Sequence, residues 1–231
     1  MKRYGLIFCI FAMLWGCCFH ATAVSFPTDT VGTDYEEAVN MLVAFKIFDV
    51  DEGRLFQPDV AMTRAQFVST VVKMKDPDSD AAKSLTGENV FIDVSEEDWW
   101  SGPILLALDL GLIDGTGNGR FEPDEPILYE HAVKILVRLL GYEHLAQQSG
   151  YMVVADSIGL LKGLSLKGTD SVTKGTAALL IANALEADAL EPASYQPNEG
   201  YVTYKKENFA KCAMGIQTEK GVVSANEVTP L

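Results

Sequence analysis

The sequence predicts a mainly α-helical protein. Three helix–loop–helix repeats form a pseudo-threefold bundle, and a short β-prone segment follows at the C-terminus. Three observations carry this expectation. A shift of 65 residues lays Phe26–Met74 over Phe91–Leu139 without a gap, and a shorter copy runs from Val153 to Leu185. Within each copy, apolar residues recur at helical spacing and the stretch closes at a glycine. Beyond residue 200 the aliphatic stripes give way to β-formers such as Val202, Tyr204, Val222 and Val223.

The elements follow in chain order. Residues 1–23 read as a secretory leader: Lys2 and Arg3 precede an uncharged apolar run to Phe19, and Ala21-Thr22-Ala23 forms a small-x-small cleavage site. "LWGC" leaves a lipoprotein reading open at Cys17. Repeat 1 spans 26–75, and its second helix is expected after Thr63 as N-cap. A polar stretch, Lys75 to Asn89, links it to repeat 2 at 90–143. There the first helix is expected from "SEEDWW", capped by Ser95 or Asp98, with Ile104, Leu105, Leu108 and Leu112 inward and Gly111 at its end. The second helix carries Ala132, Val133, Leu136, Val137 and Leu140 on one stripe. Repeat 3, at 148–188, is degenerate: its loop is three residues shorter, and Thr173 caps its second helix. Residues 189–231 read as an acidic linker followed by the start of a further β-rich region of a larger surface protein. No unit of two helices can bury its stripe alone, so the three must pack on one another.

The chain is acidic, with 32 Asp+Glu against 18 Lys+Arg, and losing the leader moves the net charge from −14 to −16. Such a surface excludes nucleic acid as the main partner, because a phosphate backbone wants a basic face. The leader also removes Cys9, Cys17 and Cys18 and leaves Cys212, so stability must come from packing rather than disulfides. No transmembrane span or cofactor is expected.

The linked motifs "FIDV", "WW", "GLIDGTGNGRFEP" and "KILVRLLGY" in repeat 2, "LFQPDVAMTRAQF" in repeat 1, and "GLLKG" with "VTKGTAALL" in repeat 3 resemble the S-layer homology family. The resemblance implies a three-pronged bundle that binds secondary cell-wall polysaccharide, often bearing pyruvate ketals, in grooves between repeats. It implies a monomeric, non-enzymatic anchor at a Gram-positive-type cell surface. The family's T-R-A-E arginine falls on Arg64, on Tyr129 in repeat 2 and on Lys174 in repeat 3; its glutamate falls on Gln66, His131 and Thr176. The family's aromatic-x-Asp acid falls on Asp93, and repeat 1 has Thr28 there. The implied carbohydrate site is Thr63, Arg64, Asp93, Trp99, Trp100, Gly115 and Lys174. Arg64 is expected on a helix surface, gripping a carboxylate with the help of free donors at the helix N-terminus. One of the paired tryptophans is expected to anchor in the core and the other to be partly exposed.

Rival chemistries have weaker support. "DGTGNGRFEPDE" sets Asp114, Thr116, Asn118 and Glu125 at EF-hand positions 1, 3, 5 and 12. Pro123 sits where an exit helix should begin, and repeat 1 has Arg54 and Val60 at the positions of Gly119 and Glu125, which predicts loss of the turn there. A structural turn that shapes a groove is the expectation. "GTGNG" lacks the Gly-Lys-[Ser/Thr] of a phosphate loop. Asp98 with Asp114 could be imagined as a glycosidase pair, but repeat 1 does not reproduce it. A wall-associated glycan hydrolase with catalysis downstream, and a calcium-dependent interaction module, stay as alternatives.

Overall fold

The computed structural model describes residues 25–50, 53–75, 90–196 and 201–215. The expected leader with Cys17, the linker beyond Lys75, and Val222 and Val223 lie outside the described residues. Eight helices and two strands occur among those described: α1 (Glu36–Ala44), α2 (Arg64–Lys75), α3 (Ser101–Asp109), α4 (Tyr129–Leu139), α5 (Glu143–Ser149), α6 (Tyr151–Ser157), α7 (Lys174–Glu186), β1 (Asp188–Gln196), β2 (Tyr201–Asn208) and α8 (Phe209–Met214). The fold is mainly helical, with a small two-stranded antiparallel sheet.

The apolar stripes build one core. Leu42, Phe67, Val71, Ile104, Val133, Leu136, Leu140, Leu180 and Ile181 are buried, each stabilising the fold by about 1.5–3 kcal/mol relative to exposure. The α4 stripe is buried as its spacing predicts. The α3 stripe is rotated: Ile104 and Ala107 are buried, while Leu105 and Leu108 are half-buried.

Helix starts follow local chemistry. Thr63 and Gln66 form a reciprocal capping box, Thr63 Oγ1 accepting from Gln66 N–H at 3.2 Å and Gln66 Oε1 accepting from Thr63 N–H at 3.0 Å. Thr173 Oγ1 caps α7 through Thr176 N–H. Helix α3 starts at Ser101, later than its sequence suggests. Ser95 and Asp98 instead close a turn on each other before it: Asp98 Oδ2 accepts from Ser95 N–H at 2.8 Å and Asp98 N–H donates to Ser95 O. Pro103 then falls in the first turn, where its missing N–H costs no intrahelical bond.

Two sets of backbone hydrogen bonds join the helix–loop–helix units. Met62 N–H donates to Val172 O, Val172 N–H to Ile127 O, and Ile127 N–H to Met62 O, closing a ring of three. Just beyond the ring, the first two N–H groups of each second helix donate to the loop of another unit. Arg64 and Ala65 bond Glu125 O and Pro123 O; Tyr129 and Glu130 bond Asp170 O and Gly168 O; Lys174 and Gly175 bond Val60 O and Pro58 O. Donors that a helix leaves unpaired are thus satisfied by a neighbouring loop.

Part of the stretch expected as an acidic linker is instead a strand. Residues 188–196 form β1, paired with β2, with a register irregularity between Pro192 and Ser194, where proline supplies no donor. The base of the hairpin docks on the bundle: Leu190 N–H donates to Leu140 O at 2.8 Å, Phe209 N–H donates to Ala187 O at 2.9 Å, and Phe209 and Ala210 are buried. Gly141 permits this contact. Its φ is 82°, and a Cβ there would collide with the Leu190 carbonyl.

Candidate functional site: two grooves at the helix starts

The loops form much of the groove walls. Asp93 Oδ1 and Oδ2 accept from Phe121 and Glu122 N–H, both at 2.9 Å. Glu122 sits at φ 60°, a strained conformation that the paired bonds hold in place. Burial raises the Asp93 carboxyl pKa, but the two N–H donors outweigh it and hold it below its ordinary value. Both oxygens of Asp93 therefore serve the loop, where the resemblance placed the residue in the sugar site. Repeat 1 has the same clamp. Asp29 Oδ1 and Oδ2 accept from Phe56 and Gln57 N–H at 2.8 and 2.7 Å, and Gln57 has φ 61°. The acid thus lies one residue past Thr28, where an ungapped 65-residue shift misses it. Arg54 takes φ 58°, close to Gly119 at 70°, so arginine adopts in repeat 1 the left-handed conformation that glycine supplies in repeat 2.

A cleft of about 340 Å³ opens where the start of α2 meets the second unit. Arg64, Asp114, Gly115, Glu122, His131 and Lys134 are among its walls. Arg64 is only 8% exposed, not the helix-surface residue its position suggested. Its Nε donates to Phe121 O at 2.9 Å, Nη1 lies 3.4 Å from His131 Nδ1, and the guanidinium sits 4.8 Å from the Phe121 ring centroid. Burial lowers its proton affinity, opposed by Glu122 and Asp93; an arginine remains charged at neutral pH regardless. Burial, then Arg64, lowers the His131 pKa, which favours the neutral ring. The donors expected at the α2 N-terminus are not free: Arg64 and Ala65 N–H reach the neighbouring loop, and Gln66 N–H reaches Thr63 Oγ1. The α2 start therefore presents the charge of Arg64 to the groove rather than free helix N–H groups.

Gly115 is fixed by packing. With φ 77°, a Cβ there would stand 2.6 Å from the Phe91 ring and 2.8 Å from Arg120 O. Asp114 lies between two cations, 3.0 Å from Lys134 Nζ and 2.8 Å from Arg138 Nη1. Burial raises its pKa, but those cations outweigh it and bring it down. Arg138 also forks onto Glu143 at 3.0 and 3.2 Å, and Tyr151 donates to Glu143 at 2.7 Å. A carboxylate neutralised this way is poorly suited to Ca²⁺. Thr116 Oγ1 is turned to Arg120 O. Among the described residues, no group of three or more His, Cys, Asp or Glu could hold a metal.

A second cleft, about 360 Å³, has Lys174 at the α7 start with Asp49, Gln57, Gln66, Ser69 and Trp99 among its walls. Lys73 Nζ pairs with Asp49 at 2.6 Å, as Arg138 does with Asp114. Trp99 is 61% exposed; its ring meets Trp100 edge-on at 5.2 Å, and Trp100 is half-buried against the core. The seven residues singled out from sequence thus separate. Arg64 and Gly115 share one groove and Lys174 and Trp99 the other. Thr63 caps α2, Asp93 clamps a loop, and Trp100 packs. Tyr129, at the equivalent position of repeat 2, is 1% exposed and brings no charge. The sequence reading missed Asp29, Lys134, Arg138, Gln57 and Ser69. All but Asp29 could have been found by applying the 65-residue shift to whole groove walls.

The S-layer homology domain matches residues 28–68 and 90–133; the third helix–loop–helix unit lies outside the matched segments. Over 192 residues the chain is 33% identical to a cell surface protein of Thermoanaerobacter kivui, covering 80% of this chain and 25% of that protein. It is 25% identical to the middle cell wall protein of Brevibacillus brevis over 70% of this chain and 16% of that one. It is 26% identical to an exoglucanase of Acetivibrio thermocellus over 68% of this chain and 14% of the enzyme. The chain spans a quarter or less of each of these relatives. The matches point to a cell-wall-associated surface location, and no helix among the described residues is long and apolar enough to cross a membrane.

Proposed function

We propose that the chain anchors a surface protein non-covalently by binding a carboxylate-bearing secondary wall polysaccharide, for which a pyruvate ketal is the fitting substituent. The observation that carries this reading is the buried guanidinium of Arg64 on the wall of an open groove. A planar fork of donors matches a carboxylate, and low local dielectric strengthens the pair. The hydrogen-bond ring of Met62, Ile127 and Val172 supports a pseudo-threefold arrangement of three units. In that arrangement Arg64, Tyr129 and Lys174 occupy equivalent positions, and the tyrosine position lacks the cation. The module is non-enzymatic and monomeric. A segment matched both to surface proteins and to an exoglucanase fits a shared attachment role better than a shared catalytic one. Co-sedimentation tests the reading. The chain is expected to pellet with walls that retain their acid-labile polysaccharide and not with stripped peptidoglycan. Equal pelleting with both would refute it.

A further inference from the structure

The position three residues past each cap is used differently in the three second helices. Gln66 exchanges bonds with Thr63, and Thr176 meets the Thr173 hydroxyl. In α4 the cap position is Leu128, which makes no side-chain cap bond. His131 therefore has no capping role, and its ring turns to the neighbouring unit: Nδ1 lies 3.4 Å from Arg64 Nη1. A guanidinium only donates, so Nδ1 must present its lone pair, and the ring is neutral with its proton on Nε2. That Nε2 is 3.9 Å from Glu130 Oε1. The imidazole thus stands beside Arg64 on the wall of an open cleft, its side chain 44% exposed.

The charged groups around the ring come from three elements. Arg64 faces it from α2; Asp114 and Glu122 face the cleft from the loop between α3 and α4; Glu130, Lys134 and Arg138 share its own helix. Asp114 is neutralised by Lys134 and Arg138, both oxygens of Asp93 serve the loop, and Glu122 acts on Arg64. Burial and then the Arg64 charge disfavour a proton on His131, with Lys134 adding to this and Glu130 opposing it.

We propose that His131 is a second, proton-dependent cation for an anion held by Arg64, so that this groove grips a carboxylate more tightly in mildly acidic surroundings than at neutral pH. This rests on the reading of Arg64 as a carboxylate site. In the free protein a proton on the ring stands against Arg64. A bound carboxylate offsets that repulsion and gives the imidazolium a partner, so the proton affinity of the ring rises. Linkage is reciprocal: the factor by which the anion favours the proton is the factor by which the proton favours the anion. The gain is complete below the pKa of the free ring and is lost as pH rises through the pKa of the ring in the complex. Solvent screens a half-exposed pair, so the gain is about fivefold. Gln66, at the matching position of the Lys174 groove, does not titrate.

Calorimetry with a pyruvylated disaccharide at pH values of about 7.5 and about 5.5 tests this on the secreted chain and on His131→Asn, whose amide oxygen can accept from Arg64 without titrating. The wild type is expected to bind about fivefold more tightly at the lower pH, and His131→Asn to lose that difference. In NMR titrations of the wild type, the His131 ring is expected to protonate at higher pH with ligand than without. His144, on α5 beside Gln148, is expected to titrate alike in both. Equal pH dependence in wild type and His131→Asn, or a wild type that weakens in acid, overturns this inference and leaves the Arg64 reading standing. No binding at either pH overturns both. If His131→Asn melts early, the ring titration decides alone: a His131 pKa that the ligand does not raise overturns the inference.

Discussion

Arg64→Ala is expected to damage folding as well as binding. The side chain is 8% exposed, donates from Nε to Phe121 O, and lies over the Phe121 ring. A hydrogen bond from a charged donor contributes about 1.5–3 kcal/mol, and the cation–π contact about 1 kcal/mol. Burial of the three-methylene stem contributes about 2 kcal/mol. These gross terms are offset by desolvation of the guanidinium, which the wild type bears and the alanine variant does not. A net loss of about 3 kcal/mol is the reasonable expectation. In a domain of this size it lowers Tm by roughly 6–12 °C. Arg64→Lys keeps the charge and most of the stem and loses the Nε donor, so it should cost about half as much. Thermal unfolding followed by circular dichroism measures both. Calorimetry with a pyruvylated disaccharide, run well below each variant's Tm, then separates affinity from folding. A Tm for Arg64→Ala within about 2 °C of wild type would refute the reasoning, because it would mean the buried contacts stabilise nothing.

Three further expectations follow from the loops. Asp29 and Asp93 have folded pKa values held below the ordinary carboxylate value by paired backbone donors despite burial. Their contribution is therefore present above the unfolded pKa and lost as pH falls through the folded one. The Tm gap between wild type and Asp29→Asn/Asp93→Asn should accordingly be full at pH 7 and shrink below about pH 4; a gap that widens in acid reverses the sign and sinks the clamp. Gly115→Ala should cost clearly more than Gly111→Ala in urea unfolding, since both have positive φ but only Gly115 places the new methyl against Phe91 and Arg120 O; equal costs would show that φ alone matters. A chelator should leave Tm unchanged, because Asp114 is already held by Lys134 and Arg138. A rise in Tm with millimolar calcium that Asp114→Ala and Glu125→Ala abolish would contradict this.

What the sequence disclosed was whatever leaves a mark in residue type. The α4 stripe and the capping threonines have side-chain signatures, and periodicity and capping chemistry read them. The loop acid of repeat 1 left a mark that a one-residue gap displaced: Asp29 does for Phe56 and Gln57 what Asp93 does for Phe121 and Glu122, yet the alignment pointed to Thr28. The burial of Arg64 left almost none. Its depth depends on the Phe121 ring and carbonyl arriving from 57 residues away. The helix N-termini are the clearest case. Their first donors are used by carbonyls of Glu125, Pro123, Asp170, Gly168, Val60 and Pro58. Every residue except proline has an N–H, and every residue has a C=O, so no composition or spacing announces such a bond. The side chains, by contrast, are what differ between the grooves. Arginine, histidine and lysine line one, while glutamine, serine and tryptophan join two lysines in the other. A repeat can thus keep its backbone joints fixed while its groove walls diverge, because the joints need no particular side chain and the walls consist of little else.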